Sequence, residues 1–128
     1  MSLMLNDGFE ARRKQGLGAF VTEQDIARHG FSDLSSILVG ARGVHVEYKN
    51  GRGNPMLMGI QSFKSGPYCT PNYFLDGTPF SGSSDDLNAV VPPEWIKGIE
   101  VYSNPGSMPA QYDRSAFTGC GSILIWTR

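Results

Sequence analysis

The sequence predicts an α+β domain: a small mixed β-sheet of four to five strands with short helices packed against it. Three observations carry this. Two N-terminal stretches show helical spacing behind capping residues. Several later stretches alternate with the period of a strand, cut short by turn signals drawn from 16 glycines and 8 prolines. The last stretch is apolar on both alternating faces (Ile123 and Ile125; Leu124 and Trp126), as in a strand covered on both sides.

In chain order, residues 1–18 read as a lead-in. Met1-Ser2-Leu3 before a second methionine has the look of a cloning remnant, and the stretch lacks the apolar run of a signal peptide. Residues 19–128 read as one domain. Thr22 is placed to cap a helix, with Asp25 reaching back three positions later, and Ile26 and Ala27 begin its buried face. In "FSDLSSILVG", Ser32 is the expected N-cap, Leu34, Ile37 and Leu38 fall at helical spacing, and Gly40 suits the position just past the helix end. "GVHVEYK" then alternates Val44, Val46 and Tyr48 against His45, Glu47 and Lys49. "NGRGNP" reads as a turn or loop, "MLMGIQSF" as a second strand, and "NYFLDG" as a third, closed by the Asp76-Gly77 turn signal. "TPFSGSSDD" reads as loop, "DDLNAVV" as a short helical turn, and "PPEWIKG" as proline at a helix start. "IEVYS" and "GSILIWTR" complete the sheet, with Ile99 and Val101 on one side of the former and Glu100 and Tyr102 on the other.

Composition limits the function. Hydrophobic residues make up 40% and charged residues 18%, enough for a core and unlike a disordered chain. A formal net charge of −1 gives no footprint for nucleic acid. No apolar run approaches the roughly 20 residues of a membrane helix. Two isolated cysteines and two distant histidines have no metal-ligand spacing, so neither metal nor cofactor is expected. The cysteines admit two readings: free thiols in a reducing compartment, or one disulfide in an oxidising one. Cys69 and Cys120 each lie just before a strand, where two chain segments can sit side by side, and this favours the disulfide.

No catalytic constellation emerges. His29 falls at a helix end and His45 on the outward face of a strand, both ordinary surface positions. Asp85 and Asp86 precede a helical turn, where capping explains them better than acid–base work. The chain is expected not to be an enzyme, and a small hydrolase is the remotest of its rival readings. Tyr68, Tyr73, Phe80, Tyr112 and Phe117 lie in or beside breaker-rich segments. Such aromatics either pin loops to a core or form a recognition surface.

Five stretches in order, "FVTEQDI", "SDLSSILVGARGVHV", "NYFLDGTPF", "WIKGIEVYSNPGSMPAQY" and "GCGSILIWTR", resemble the plug domain of TonB-dependent outer-membrane receptors. The resemblance spans about residues 19–128. It implies a domain that occludes a pore and takes part in substrate recognition and gated uptake. It also implies a cell-envelope location on the periplasmic side of the outer membrane. The implied partners are a β-barrel of the same chain or an envelope protein, TonB, and a small-molecule ligand. By position, loops 62–71, 78–86 and 104–119 are the implied contact surfaces, with Lys64, Tyr68, Tyr112 and Arg114 as the residues singled out. The chain departs from the family where arginines associated with holding the plug to the barrel wall are usual. It has Met58-Gly59 at one such place and Ser103-Asn104-Pro105 at the other. Cys120-Gly121 replaces a glycine pair. These departures keep open a barrel-less envelope binding module with the same fold.

Overall fold

The computed structural model describes residues 8–28, 33–58, 68–103, 108–112 and 120–127. Its elements are α1 (Phe9–Gln15), β1 (Ala19–Thr22), α2 (Glu23–Arg28), α3 (Leu34–Leu38), β2 (Val44–Lys49), β3 (Arg52–Met58), β4 (Tyr68–Cys69), β5 (Asn72–Leu75), β6 (Thr78–Phe80), α4 (Ser84–Val90), β7 (Ile96–Tyr102) and β8 (Ser122–Thr127). Short 3-10 turns fall at Pro93–Trp95 and Ala110–Tyr112.

A five-stranded mixed sheet runs in the order β1-β7-β8-β5-β6. Its β5–β8 pair is parallel and its other pairs are antiparallel. The doubly apolar β8 lies at its centre, as its pattern requires. The register places Val21, Ile99, Ile125 and Leu75 in one row across the sheet. The next row, Phe20, Glu100, Leu124 and Phe74, points to the opposite face. The first face forms a core with Ile26 of α2, Leu34, Ile37 and Leu38 of α3, and Leu87 of α4. The second is covered by Phe9 of α1 together with Met108 and Tyr112.

A second sheet, β2-β3-β4, is antiparallel throughout and goes beyond the single sheet expected. Its Leu57 belongs to the first core. Strand β3 starts at Arg52, four residues earlier than the sequence suggested, because Asn50 and Gly51 alone make the turn. Both take positive φ (54° and 77°), as a two-residue hairpin turn demands. Counting from the closing pair Lys49–Arg52, Pro55 falls opposite Val46 in a non-hydrogen-bonded register, so its missing N–H removes no bond to β2. Residues 59–63 of the expected strand lie outside the described residues, as does His29. Thr78–Phe80, expected as loop, forms β6 because Asp76 and Gly77 (φ 50° and 87°) close a hairpin of the same kind.

The helix starts follow local chemistry. Thr22 and Asp25 form the expected reciprocal cap: Asp25 N–H donates to Thr22 Oγ1 at 3.2 Å and Thr22 N–H to Asp25 Oδ2 at 2.9 Å. Asp33, rather than Ser32, caps α3, its carboxylate accepting from Ser36 N–H at 3.0 Å. Gly40 follows α3 with φ 88°, the left-handed conformation foreseen for it. Ser83 and Asp86 build a full capping box on α4, which extends to Val90. Within the stretch 1–18, read as a lead-in, α1 contributes a buried Phe9 and an Arg12 that reaches the sheet.

Candidate functional site

Two regions bear on function: the loop end around β4, β6 and α4, and a polar cluster on the second face of the main sheet.

At the loop end, a disulfide joins Cys69 to Cys120, with the two Cα atoms 5.9 Å apart. It ties β4 of the small sheet to the start of β8 in the large one. Beside it, Tyr68 stacks on His45 with ring centroids 4.3 Å apart and planes 19° from parallel. That stacking fixes both rings on one surface of the small sheet. His45 is thus paired with an aromatic ring. A groove of about 330 Å³ opens nearby, lined by Glu47, Lys49 and Met56 on one side and Thr70, Tyr73 and Ser84 on the other. Two of the three loops singled out by position, 62–71 and 78–86, contribute to it. Burial raises the Tyr73 hydroxyl well above its ordinary range despite an opposing hydrogen bond with Ser84, so Tyr73 is a neutral donor at this wall. Lys64 and Arg114 lie outside the described residues. Trp95, more than half exposed on its 3-10 turn, is an exposed aromatic that the sequence reading did not single out.

Tyr112 sits elsewhere, in the second region. It is 5% exposed, edge-on to Phe74 (5.2 Å) and to Trp126 (6.4 Å). Ser122 Oγ donates to its carbonyl at 2.8 Å. This is the loop-pinning role: the ring anchors the segment after β7 onto the sheet.

The centre of that region is Glu100, fully buried in β7. Its Oε1 accepts from Arg12 Nε (2.7 Å) and Tyr102 Oη (2.6 Å), and its Oε2 from Arg12 Nη2 (2.7 Å) and Trp126 Nε1 (2.7 Å). Each oxygen thus has two donors, and the arginine binds in the parallel-fork geometry that best matches a carboxylate. The Arg12 guanidinium also lies 5.8 Å from the ring centres of both Tyr112 and Trp126. The hydrogen bond with Glu100 is the largest influence on Arg12 and raises its pKa further, so the cation is permanent. Burial raises the Tyr102 hydroxyl, which stays a donor. Gly8 belongs to the arrangement: a Cβ there would fall 2.7 Å from Arg12 Nη1. Chemically the cluster binds charge: the carboxylate is fully buried and each of its oxygens accepts from two donors.

Sequence reasoning missed this cluster, yet a signal was present. A β8 apolar on both faces requires its neighbour β7 to be covered on both faces too. Glu100 therefore had to be buried and in need of a cationic partner. What could not be read was that the partner would come from residues 1–18. Among the described residues, no three His, Cys, Asp or Glu side chains gather to hold a metal ion.

Gly121 bears on the glycine pair named in the resemblance. A Cβ on it would lie 1.9 Å from the Tyr102 carbonyl oxygen, so the second glycine of the usual pair is sterically required while Cys120 takes the place of the first.

The comparisons with known proteins agree with this architecture. No curated protein matches the chain. Among solved structures it is similar to the RagAB peptide importer in its closed-closed state, with TM-score 0.59 and 18% identity over 87% of this chain and 12% of that one. It is also similar to a mutant ferric enterobactin receptor of Pseudomonas aeruginosa in complex with enterobactin, with TM-score 0.56 and 26% identity over 85% of this chain and 17% of that one. The chain thus spans a small part of either protein. The family described as TonB-dependent Receptor Plug Domain matches residues 13–120. By that match the chain belongs to the plug-domain family of TonB-dependent receptors.

Proposed function

We propose that the chain acts as the plug of an outer-membrane receptor, occluding a β-barrel and taking part in substrate recognition and gated uptake. One observation carries this reading: the family match over residues 13–120, with the same fold found as a small part of two much longer proteins. The role is non-catalytic and sits on the periplasmic side of the outer membrane. The groove of about 330 Å³ beside the Tyr68–His45 stack is where we place contact with a small-molecule ligand. Lys64 and Arg114 remain the charged residues proposed for contact with a ligand, a barrel wall or a protein partner, and Tyr112 acts from the interior by anchoring the segment after β7. A barrel of the same chain is the proposed main partner, with TonB acting on the receptor from the inner-membrane side.

A second reading is a barrel-less envelope binding module. It is favoured by the uncharged residues Met58-Gly59 and Ser103-Asn104 where wall-facing arginines are usual in the family. Such a module has no need of a charge lock against a barrel. The parent open reading frame separates the two. Several hundred residues of alternating, roughly ten-residue strands downstream of Arg128 are expected for the receptor. A stop codon shortly after Arg128 would sink that reading in favour of the module. Hydrolysis of an ester panel that disappears in a folded His45→Ala variant would overturn the non-catalytic assignment.

A further inference from the structure

The Glu100 cluster has an unusual division of labour. Three of its side chains, Glu100, Tyr102 and Trp126, stand on two neighbouring strands of the main sheet. Tyr112 closes one side from a segment pinned to the same sheet. The guanidinium alone comes from outside, on a helix of seven residues whose only buried member is Phe9. That helix pairs with no strand. It reaches β1 through Gly16-Leu17-Gly18, in which Gly16 takes φ 70° and Leu17 is exposed.

We infer that Glu100, Tyr102, Trp126 and Tyr112 form a guanidinium-binding site built into the sheet, and that α1 is its detachable ligand in cis. The chemistry of the pocket is specific for an alkylguanidinium. Two coplanar N–H groups meet the two carboxylate oxygens, and two ring faces lie against the flat cation. An ammonium offers a single point charge and cannot form that fork. The tyrosine hydroxyl and indole N–H already orient the carboxylate from the sheet side, so the acceptor geometry does not depend on α1. Because the ligand arrives on a tether, the site empties without breaking a strand pair. Among the described contacts of the occupant are its charged fork and one buried ring, Phe9, packed edge-on to Phe20 at 5.7 Å.

The test is chemical rescue in the full chain. Arg12→Ala removes the equivalent of one ethylguanidinium from the site. Its melting temperature is expected to fall and then to rise saturably, by about 5 °C or more, on titration with ethylguanidinium chloride at millimolar concentrations. Ethylammonium chloride and sodium chloride at equal ionic strength should give no saturable rise. The double variant Arg12→Ala/Glu100→Gln should not respond to any of them. Equal effects of ethylguanidinium and ethylammonium, no saturable effect, or a response that survives in the double variant would overturn the site. If Arg12→Ala does not fold alone, refolding yield in the same three salts gives the same decision. Detachment is read in the unmodified chain by hydrogen exchange. The amides of α1 should exchange through an opening that leaves β7 and β8 protected, and exchange of all three in one cooperative event would overturn it.

Discussion

The two faces of the main sheet are built on different principles. On the first, Ile99, Val101, Ile123 and Ile125 meet Ile26, Leu38 and Leu87 in a core of aliphatic side chains. Its stability comes from area removed from water, spread over many residues, none of which specifies its partner closely. On the second, Phe9, Phe20, Phe74, Tyr102, Tyr112 and Trp126 surround one fully buried carboxylate. Here each polar atom has a named donor, and the loss of one donor leaves a charge in an apolar interior. The lesson is one of dependence. The aliphatic face tolerates change by degrees, while the aromatic face depends on a side chain from the far N-terminal end of the described chain.

The sharpest way to break the comparison is to remove that side chain. Arg12→Met should lower stability by about 3–5 kcal/mol, the cost of leaving a buried carboxylate without its cation. Arg12→Met/Glu100→Gln should lose clearly less than the sum of the two single changes. A urea-denaturation cycle over the four proteins measures this coupling. Additive losses would show that the fork contributes no more than local packing. The next effect belongs to the aliphatic side, where the disulfide links Cys69 and Cys120 at the edge of that core. Cys69→Ser/Cys120→Ser should lose about 4 kcal/mol in the chain-entropy account of a loop of this length. The unreduced protein should have a mass two hydrogens below the reduced form. Ile26→Ala should cost about 3 kcal/mol through the cavity it leaves under α2. Combined with Arg12→Met, its loss should simply add, since the two sites lie on opposite faces of the sheet. Strong coupling between them would mean that the faces do not act independently.

The same contrast governs what was legible in the sequence. Periodicity reports burial, so the aliphatic face could be read directly from Ile99, Val101, Ile123 and Ile125 and from the spacing of Leu34, Ile37 and Leu38. Capping and turn chemistry is local, and it located the start of α2 and the turn at Asp76-Gly77, while the Ser83 cap of α4 went unread inside an expected loop. Arg52–Pro55 defeated a composition-based reading, because glycine, asparagine and proline there are tolerated by an edge-like register and not by propensity. Pro79 concealed β6 in the same way. The burial of Glu100 could have been inferred from β8, but the identity of its partner was illegible for a deeper reason. Glu100 and Arg12 stand 88 residues apart, and nothing local to either announces the other. Among the residues chosen for contact, Tyr112 shows that an aromatic in a breaker-rich segment can serve the interior, while Tyr68 stacks on His45 of the small sheet.

The smallest expected effect tests the local chemistry of α2, whose first turn lies against the aliphatic face. Asp25 accepts the Thr22 amide and hydroxyl and pairs with Arg28. The Thr22 amide bond is the main reason its carboxyl is held below the usual value, with the hydroxyl bond and Arg28 adding to it. A carboxylate lowered on folding contributes stability that is fully present above its unfolded pKa and is lost as pH falls through the folded one. Asp25→Ala should therefore cost about 1 kcal/mol at neutral pH. The gap to the unmodified chain should start to close below about pH 4, where an unfolded aspartate protonates. Added salt should change this gap little, because amide and hydroxyl bonds carry more of it than the exposed Arg28 pair does. Denaturation midpoints measured across that range decide the matter. A loss that stays constant as the carboxylate protonates would assign the role of Asp25 to packing, and one that vanishes in high salt would assign it to Arg28.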